Sequence, residues 1–137
     1  MKSLLISSLL VYLVYSSTTG KKIPVPDSNR TLQDLIYRIA VPNANQQVSD
    51  NVWWIPIENK YSASKVSVPN GKRLYTTYSF SYTLGRSLCS STQVSISGLK
   101  SCKIDTRSNK KVKCTAMLAW NEGDWNSVEI KNNCGKV

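Results

Sequence analysis

Residues 74–84 read Leu-Tyr-Thr-Thr-Tyr-Ser-Phe-Ser-Tyr-Thr-Leu. Leu74, Thr76, Tyr78, Phe80, Tyr82 and Leu84 fall on one face of an extended chain. Tyr75, Thr77, Ser79, Ser81 and Thr83 fall on the other. This period of 2 predicts one long strand, roughly 35 Å from end to end. So long a strand twists and needs something to curl around. Upstream, Pro69-Asn70-Gly71 is a hairpin signal, with Asn-Gly supplying positive φ angles. Residues 64–68 (SKVSV) alternate weakly. Trp53 to Ile57 reads as an edge strand because Pro56 cannot donate to a ladder. Trp53 and Trp54 point to opposite faces, and an anchor under a loop is expected there.

The partner for the strand lies further upstream. Thr31-Leu32-Gln33-Asp34 resembles a capping box. Leu32, Leu35, Ile36 and Ile39 then form the apolar stripe of a helix, which Pro42 is expected to end after about three turns. Residues 43–52 read as loop. Downstream, residues 86–111 are polar and basic around Val94 and Ile96. Val112, Cys114, Ala116, Leu118 and Trp120 alternate again, Asn121 to Asp124 turn, and Trp125 to Ile130 return. The expected class is α+β: one N-terminal helix packed on a curled antiparallel sheet of four or five strands in meander order.

The chain has 137 residues, with Lys2, an apolar run from Leu4 to Val14, and small residues to Gly20. That order predicts a signal peptide over residues 1–20, cleaved after Ser16, Ser17 or Gly20, and one secreted, extracellular domain over 21–137. No transmembrane segment is expected, and a monomer is. Asn29-Arg30-Thr31 is a glycosylation sequon at Asn29. In an oxidising compartment Cys89, Cys102, Cys114 and Cys134 form two disulfides, and nearest-neighbour pairing is the simplest of three. There is no histidine, so no His-based nucleophile, base or metal ligand. No CxxC knuckle accompanies the cysteines. Neither an enzyme, a metal nor a cofactor is expected.

Leu84-Gly85-Arg86-Ser87-Leu88-Cys89 resembles the LGRTxC segment that follows the long strand of type-2 cystatins. The nineteen residues between Cys114 and Cys134 match the last disulfide loop of that family, and the other spacings come close. The resemblance covers residues 31–134. It implies a cystatin-like fold, disulfides Cys89–Cys102 and Cys114–Cys134, and inhibition of papain-like, cathepsin-type cysteine proteases. The family's wedge has three pieces: a trunk glycine, a first hairpin loop carrying QxVxG and a second carrying Pro-Trp. Gly20 is the one glycine before the helix and stands for the trunk. The first loop maps to Val68, Pro69, Asn70, Gly71 and Lys72, where QxVxG is absent. The second maps to Glu122 and Gly123, with Trp125 and Trp120 close by in place of Pro-Trp. Ser49-Asp50-Asn51 stands where some cystatins carry a second inhibitory loop, in scrambled order, and reads as a polar loop.

The charge is the other signal: 18 Lys and Arg against 8 Asp and Glu, a formal +10. Lys100, Lys103, Arg107, Lys110, Lys111 and Lys113 are six bases in one connection. They keep a secreted domain soluble, or they bind a polyanion outside the cell. A glycosaminoglycan is favoured there over nucleic acid, since no aromatic pattern for stacking bases accompanies them. The alternative to the inhibitor is thus a non-inhibitory cystatin-fold protein whose basic loop engages glycans, anionic surfaces or a cell-surface partner.

Overall fold

The computed structural model describes residues 20–136. The expected signal segment before Gly20 lies outside the described residues. Six strands form one antiparallel sheet: β1 (Ile23–Val25), β2 (Val52–Pro56), β3 (Ala63–Asn70), β4 (Arg73–Ser90), β5 (Lys111–Asn121) and β6 (Glu129–Lys136). Their order is β1-β3-β4-β5-β6, and β2 also joins β4. One helical rod over residues 30–48 packs on one face of the sheet. It consists of α1 (Arg30–Leu35), a π turn (Ile36–Ala40) and α2 (Val41–Val48). The protein is therefore α+β, as expected, with six strands in place of four or five.

The meander order is corrected at β4. That strand has 18 residues, too long for a single neighbour on each side. Along one edge β3 pairs with residues 73–79, and β2 pairs with residues 84–90 of the same edge. The step between them is closed by Ile57 N donating to Thr83 O at 2.9 Å and Ser81 N donating to Tyr61 O at 2.8 Å. Gly85 belongs to this step, because a Cβ there would sit 3.0 Å from Ile57 Cγ1. β5 takes the opposite edge from Tyr75 to Gly85, and β6 follows β5. Residues 23–25, expected only as a lead-in, form β1 on the free edge of β3.

The helix needs two corrections. Its N-cap is Asn29, not Thr31: Asn29 Oδ1 accepts from Leu32 N at 2.9 Å. An amide oxygen there satisfies a first-turn donor as well as a hydroxyl would. Nor does the helix stop at Pro42. The preceding turn widens to a π turn, with Val41 N donating to Ile36 O, and Pro42 sits in the first turn of α2. Proline costs least at that position, because a first-turn N–H needs no helical acceptor. The wide turn also rotates the buried stripe. Leu32, Leu35 and Ile36 are followed in the core by Ala40, Val41 and Ala44, while Ile39 is only partly buried. Residues 43–48, expected as loop, are helical, and Ser49 ends them in the left-handed region at φ 56°.

The core lies between this stripe and the inner face of the sheet, where Tyr78, Phe80, Tyr82 and Leu84 meet Cys114, Ala116, Leu118 and Trp120. Polar groups pin the layers together. Asn45 Nδ2 donates to Trp54 O at 2.9 Å, and Asn45 Oδ1 accepts from Trp54 N at 2.8 Å. One side-chain amide thus serves β2 as a neighbouring strand would. Tyr82 Oη donates to Asn132 Oδ1 at 2.6 Å, and Asn132 Nδ2 donates to Ala40 O at 3.0 Å, tying β4 and β6 to the helix. Burial pushes the Tyr82 phenol far above its ordinary pKa, and the bond to Asn132 offsets part of that. The disulfides are Cys89–Cys102 and Cys114–Cys134. Among the described residues no helix is long and apolar enough to cross a membrane.

Candidate functional site

The two hairpin loops singled out in the sequence lie side by side at one end of the sheet. The first is shifted one residue from the Asn-Gly reading, and Asn70 does not take the positive φ expected of it. Asn70 still pairs with Arg73, so Gly71 and Lys72 alone make the turn, and Gly71 takes φ 64°. Pro69, Asn70, Gly71 and Lys72 are exposed, and Val68 is half-buried. In the second loop Asp124 Oδ1 accepts from Asn126 N at 3.1 Å, which organises the short 3₁₀ turn Trp125–Ser127.

Glu122 joins the loops. Its N–H donates to Leu74 O at 2.9 Å, its carbonyl accepts from Arg73 Nη1 at 2.9 Å, and its Oε1 accepts from Thr76 Oγ1 at 2.7 Å. Asn70 Nδ2 donates to Asn121 Oδ1 at 2.8 Å, and Ser67 and Thr76 share a hydroxyl bond of 2.8 Å. Thr76 is fully buried beneath this network. Tyr78 stands next to it; burial raises its phenol pKa and the Glu122 charge raises it further. The N-terminal piece runs to the same end. Ile23 pairs with Lys65 and Val25 with Ala63, so the chain preceding Ile23, with exposed Gly20, heads toward the Val68–Lys72 turn.

The aromatic expected at the second loop is placed differently. Trp120 is buried. Trp125 packs edge-on against it at 5.1 Å, and the Arg38 guanidinium covers the Trp125 ring at 3.8 Å. Neither indole stands free at the tip. The exposed apolar side chain there is Leu74.

The six bases do not form one cluster. Lys100 pairs with Asp34 of the helix at 2.9 Å, and Arg107 pairs with its neighbour Asp105 at 3.1 Å. Lys103 and Lys110 are exposed in the connection. Lys111 and Lys113 begin β5 and, at period 2, project from the sheet face opposite the helix. Two lysines absent from the sequence candidates, Lys22 and Lys131, join that face. Nothing local marks them, because strand pairing brings them there.

Asp50, in the polar loop after the helix, is structural. Its Oδ2 accepts from Trp54 Nε1 at 2.9 Å and from Arg86 Nε at 2.9 Å. Partial burial by itself raises the carboxyl pKa. The bonds from Trp54, Arg86 and the Asn51 N–H, with the Arg86 charge, outweigh it and hold the group below the usual carboxylate range. The stability it contributes is therefore full above the unfolded aspartate pKa and is lost as pH falls through the lower folded value. Asp50→Asn is expected to cost about 1 kcal/mol at neutral pH, discounted for partial exposure of the pair. The difference from the parent should shrink on acidification below about pH 4. Urea midpoints at neutral and acidic pH measure both, and a pH-independent difference would refute the assignment. Trp53 serves as the loop anchor its position implied, with Nε1 donating to Val94 O at 2.7 Å.

The Asn29 of the sequon is the helix cap just described. Capping uses Oδ1, so the amide nitrogen that a glycan would take is not the capping atom. Compared with protein-family models and with curated proteins, the chain matches none.

Proposed function

We propose that the protein is a secreted inhibitor of papain-like cysteine proteases with a cystatin-like fold, and that the linked hairpin tips are the edge it inserts into the protease cleft. One observation carries this reading. Three segments assigned separately in the sequence, the residues before Ile23, the turn at 68–72 and the turn at 122–125, converge on one end of the sheet. Two disulfides suit the oxidising compartment that secretion implies. Glu122 holds the two tips in one arrangement before any partner arrives, so little ordering entropy is lost on docking. The edge would block the cleft with turn backbone and the small apolar groups Val68, Pro69 and Leu74, with Lys72 at its rim. It would present no peptide bond in cleavable register.

The test is titration of papain and a cathepsin L-type protease with the secreted, N-terminally sequenced protein. The expected result is reversible inhibition with a dissociation constant below about 1 µM. Gly71→Val forces a β-branched side chain into a positive-φ turn, and it should weaken inhibition about tenfold or more while the disulfides still form. No inhibition at micromolar concentration with both disulfides intact would sink the proposal.

The second reading is a non-inhibitory binding protein for polyanions. It is favoured by Lys111 and Lys113, which make no ion pair among the described residues and share the open face of the sheet.

A further inference from the structure

The helix covers one face of the sheet, and no described element covers the other. On that open face, strand pairing lines up small hydroxyl side chains across three strands. Ser64 of β3 stands opposite Ser79 of β4, and Ser81 of β4 stands opposite Thr115 of β5. They floor a shallow trough of about 550 Å³ with Lys22 at one side and Lys131 at the other. Among the described residues none of these four hydroxyls makes a hydrogen bond, and neither lysine makes an ion pair. The span from the β1 edge to β6 is four strand spacings, about 19 Å. Asn133, opposite Thr115, adds an amide at the β6 side.

Charge gives the trough a direction. Toward the far end of β5 the same face carries Lys113, opposite Thr83, and then Lys111, opposite Gly85. Toward the hairpin tips it carries Glu129, opposite Ala119. An anionic ligand is drawn to the Lys131–Lys113–Lys111 side and repelled from the tips.

We infer that this open sheet face is a binding site for a linear sulfated polysaccharide, which lies across the strands with its sulfates on Lys22, Lys131 and Lys113 and its ring hydroxyls on the serine and threonine floor. The floor selects the ligand class. Solvent-accessible hydroxyls at strand spacing, not used in bonds within the protein, match a chain of sugar hydroxyls, and the lysines supply charge as compact donors. Base stacking has no exposed aromatic platform in the trough, because Phe80 among its lining residues is buried on the core side of the sheet. Membrane insertion would need large exposed apolar side chains, and of those lining the trough Met117 is 55% exposed while Phe80 is buried at 4%. The site differs from the basic connection read in the sequence, since Lys103 and Arg107 lie outside it. It rests on the polyanion reading, whose ligand and site it names, and not on the protease reading, because the tips are not part of it.

The probe is a heparin-derived octasaccharide, titrated against the secreted protein at about 0.15 M ionic strength. Its desulfated counterpart is the control. Binding of the sulfated form alone is expected. Lys113→Gln with Lys131→Gln should weaken it about tenfold and lower the salt slope of the affinity by about two. Lys103→Gln with Arg107→Gln should change it less than about twofold. Ser79→Val with Ser81→Val, which keeps all charges and suits a strand, should weaken it about threefold. Unchanged inhibition or non-inhibition of papain and an unchanged near-ultraviolet spectrum show that each variant is folded. The inference is overturned by any of three results. One is no binding of the octasaccharide. Another is equal losses from the connection variant and the trough variant. The third is binding of single-stranded DNA or phosphatidylserine vesicles that is as tight and as sensitive to the trough variant.

Discussion

Leu118→Ala is expected to lower the unfolding free energy by about 3 kcal/mol, and Met117→Ala next to it by less than about 0.5 kcal/mol. The two residues are adjacent on β5 and differ only in the face they take. Leu118 is fully buried, pairs with Tyr78 on one side and Ile130 on the other, and belongs to the core beneath the helix. Truncating it removes several methyl and methylene contacts and leaves a cavity. A rigid sheet flanked by a disulfide cannot close that cavity. Met117 pairs with Ser79 and Lys131 on the open face and is 55% exposed. For a domain of this size the first change should lower the melting temperature by about 10 °C or more, and the second by a degree or two. Urea unfolding followed by tryptophan fluorescence measures both. Equal losses at the two positions would mean that the register of β5 is wrong.

Removing the Cys114–Cys134 bridge by Cys114→Ala with Cys134→Ala should cost about 3 kcal/mol. Its sequence separation is 20 residues, and closure of a loop that long removes much of the freedom of the unfolded chain. Cys114 is also a fully buried core residue, directly opposite Cys134 in the β5–β6 ladder. The Cys89–Cys102 bridge spans 13 residues, and chain entropy assigns it a similar value, about 3 kcal/mol. The consequences should differ in place. The second bridge closes a connection beyond the helix, held besides by the Ser87–Ile104 pairing. Its loss should raise hydrogen exchange mainly over residues 86–104. Loss of the first should loosen β6 along its length. Reducing both removes a total comparable with the whole stability of a small domain, about 5–15 kcal/mol, so the reduced protein should be largely unfolded at 37 °C. Urea midpoints with and without reductant decide it. A midpoint that reductant leaves in place would show that the ladder, not the bridges, holds β6.

Much of the fold was legible in the sequence, and its failures have local causes. Residues 74–84 announced β4 through an unbroken period of 2. The strand continues to Ser90 although Gly85, Arg86 and Ser87 carry no such signal. Those residues are held extended by β2 and by the pairing of Ser87 with Ile104, which are remote in sequence. Pro42 read as a stop because proline breaks an α-helix interior. It becomes the start of a second segment once a π turn absorbs the geometry, and the apolar residues Val41 and Ala44 then stay on the core side. The candidate tips were correctly placed on turns. Their joining through Glu122 was not readable, since Glu122 in a sequence is merely a charged residue in a loop. Trp125 shows the converse. It stood in the sequence as an aromatic close to the second loop, and Arg38, about two turns into the helix, covers it.

The sequence by itself determined the alternation that makes the sheet, the apolar stripe that makes the helix, the four cysteines and the excess of lysine. These are properties of neighbours a few residues apart, and period and composition record them directly. The tertiary structure alone decided which strand takes which part of β4, that the basic residues split between helix, connection and open sheet face, and that Lys22 and Lys131 flank one trough. Each of these depends on groups many residues apart becoming strand neighbours. That choice is made by burying the helix stripe against one face of the sheet, and the energy of that burial is shared by the whole core and not written at any one position.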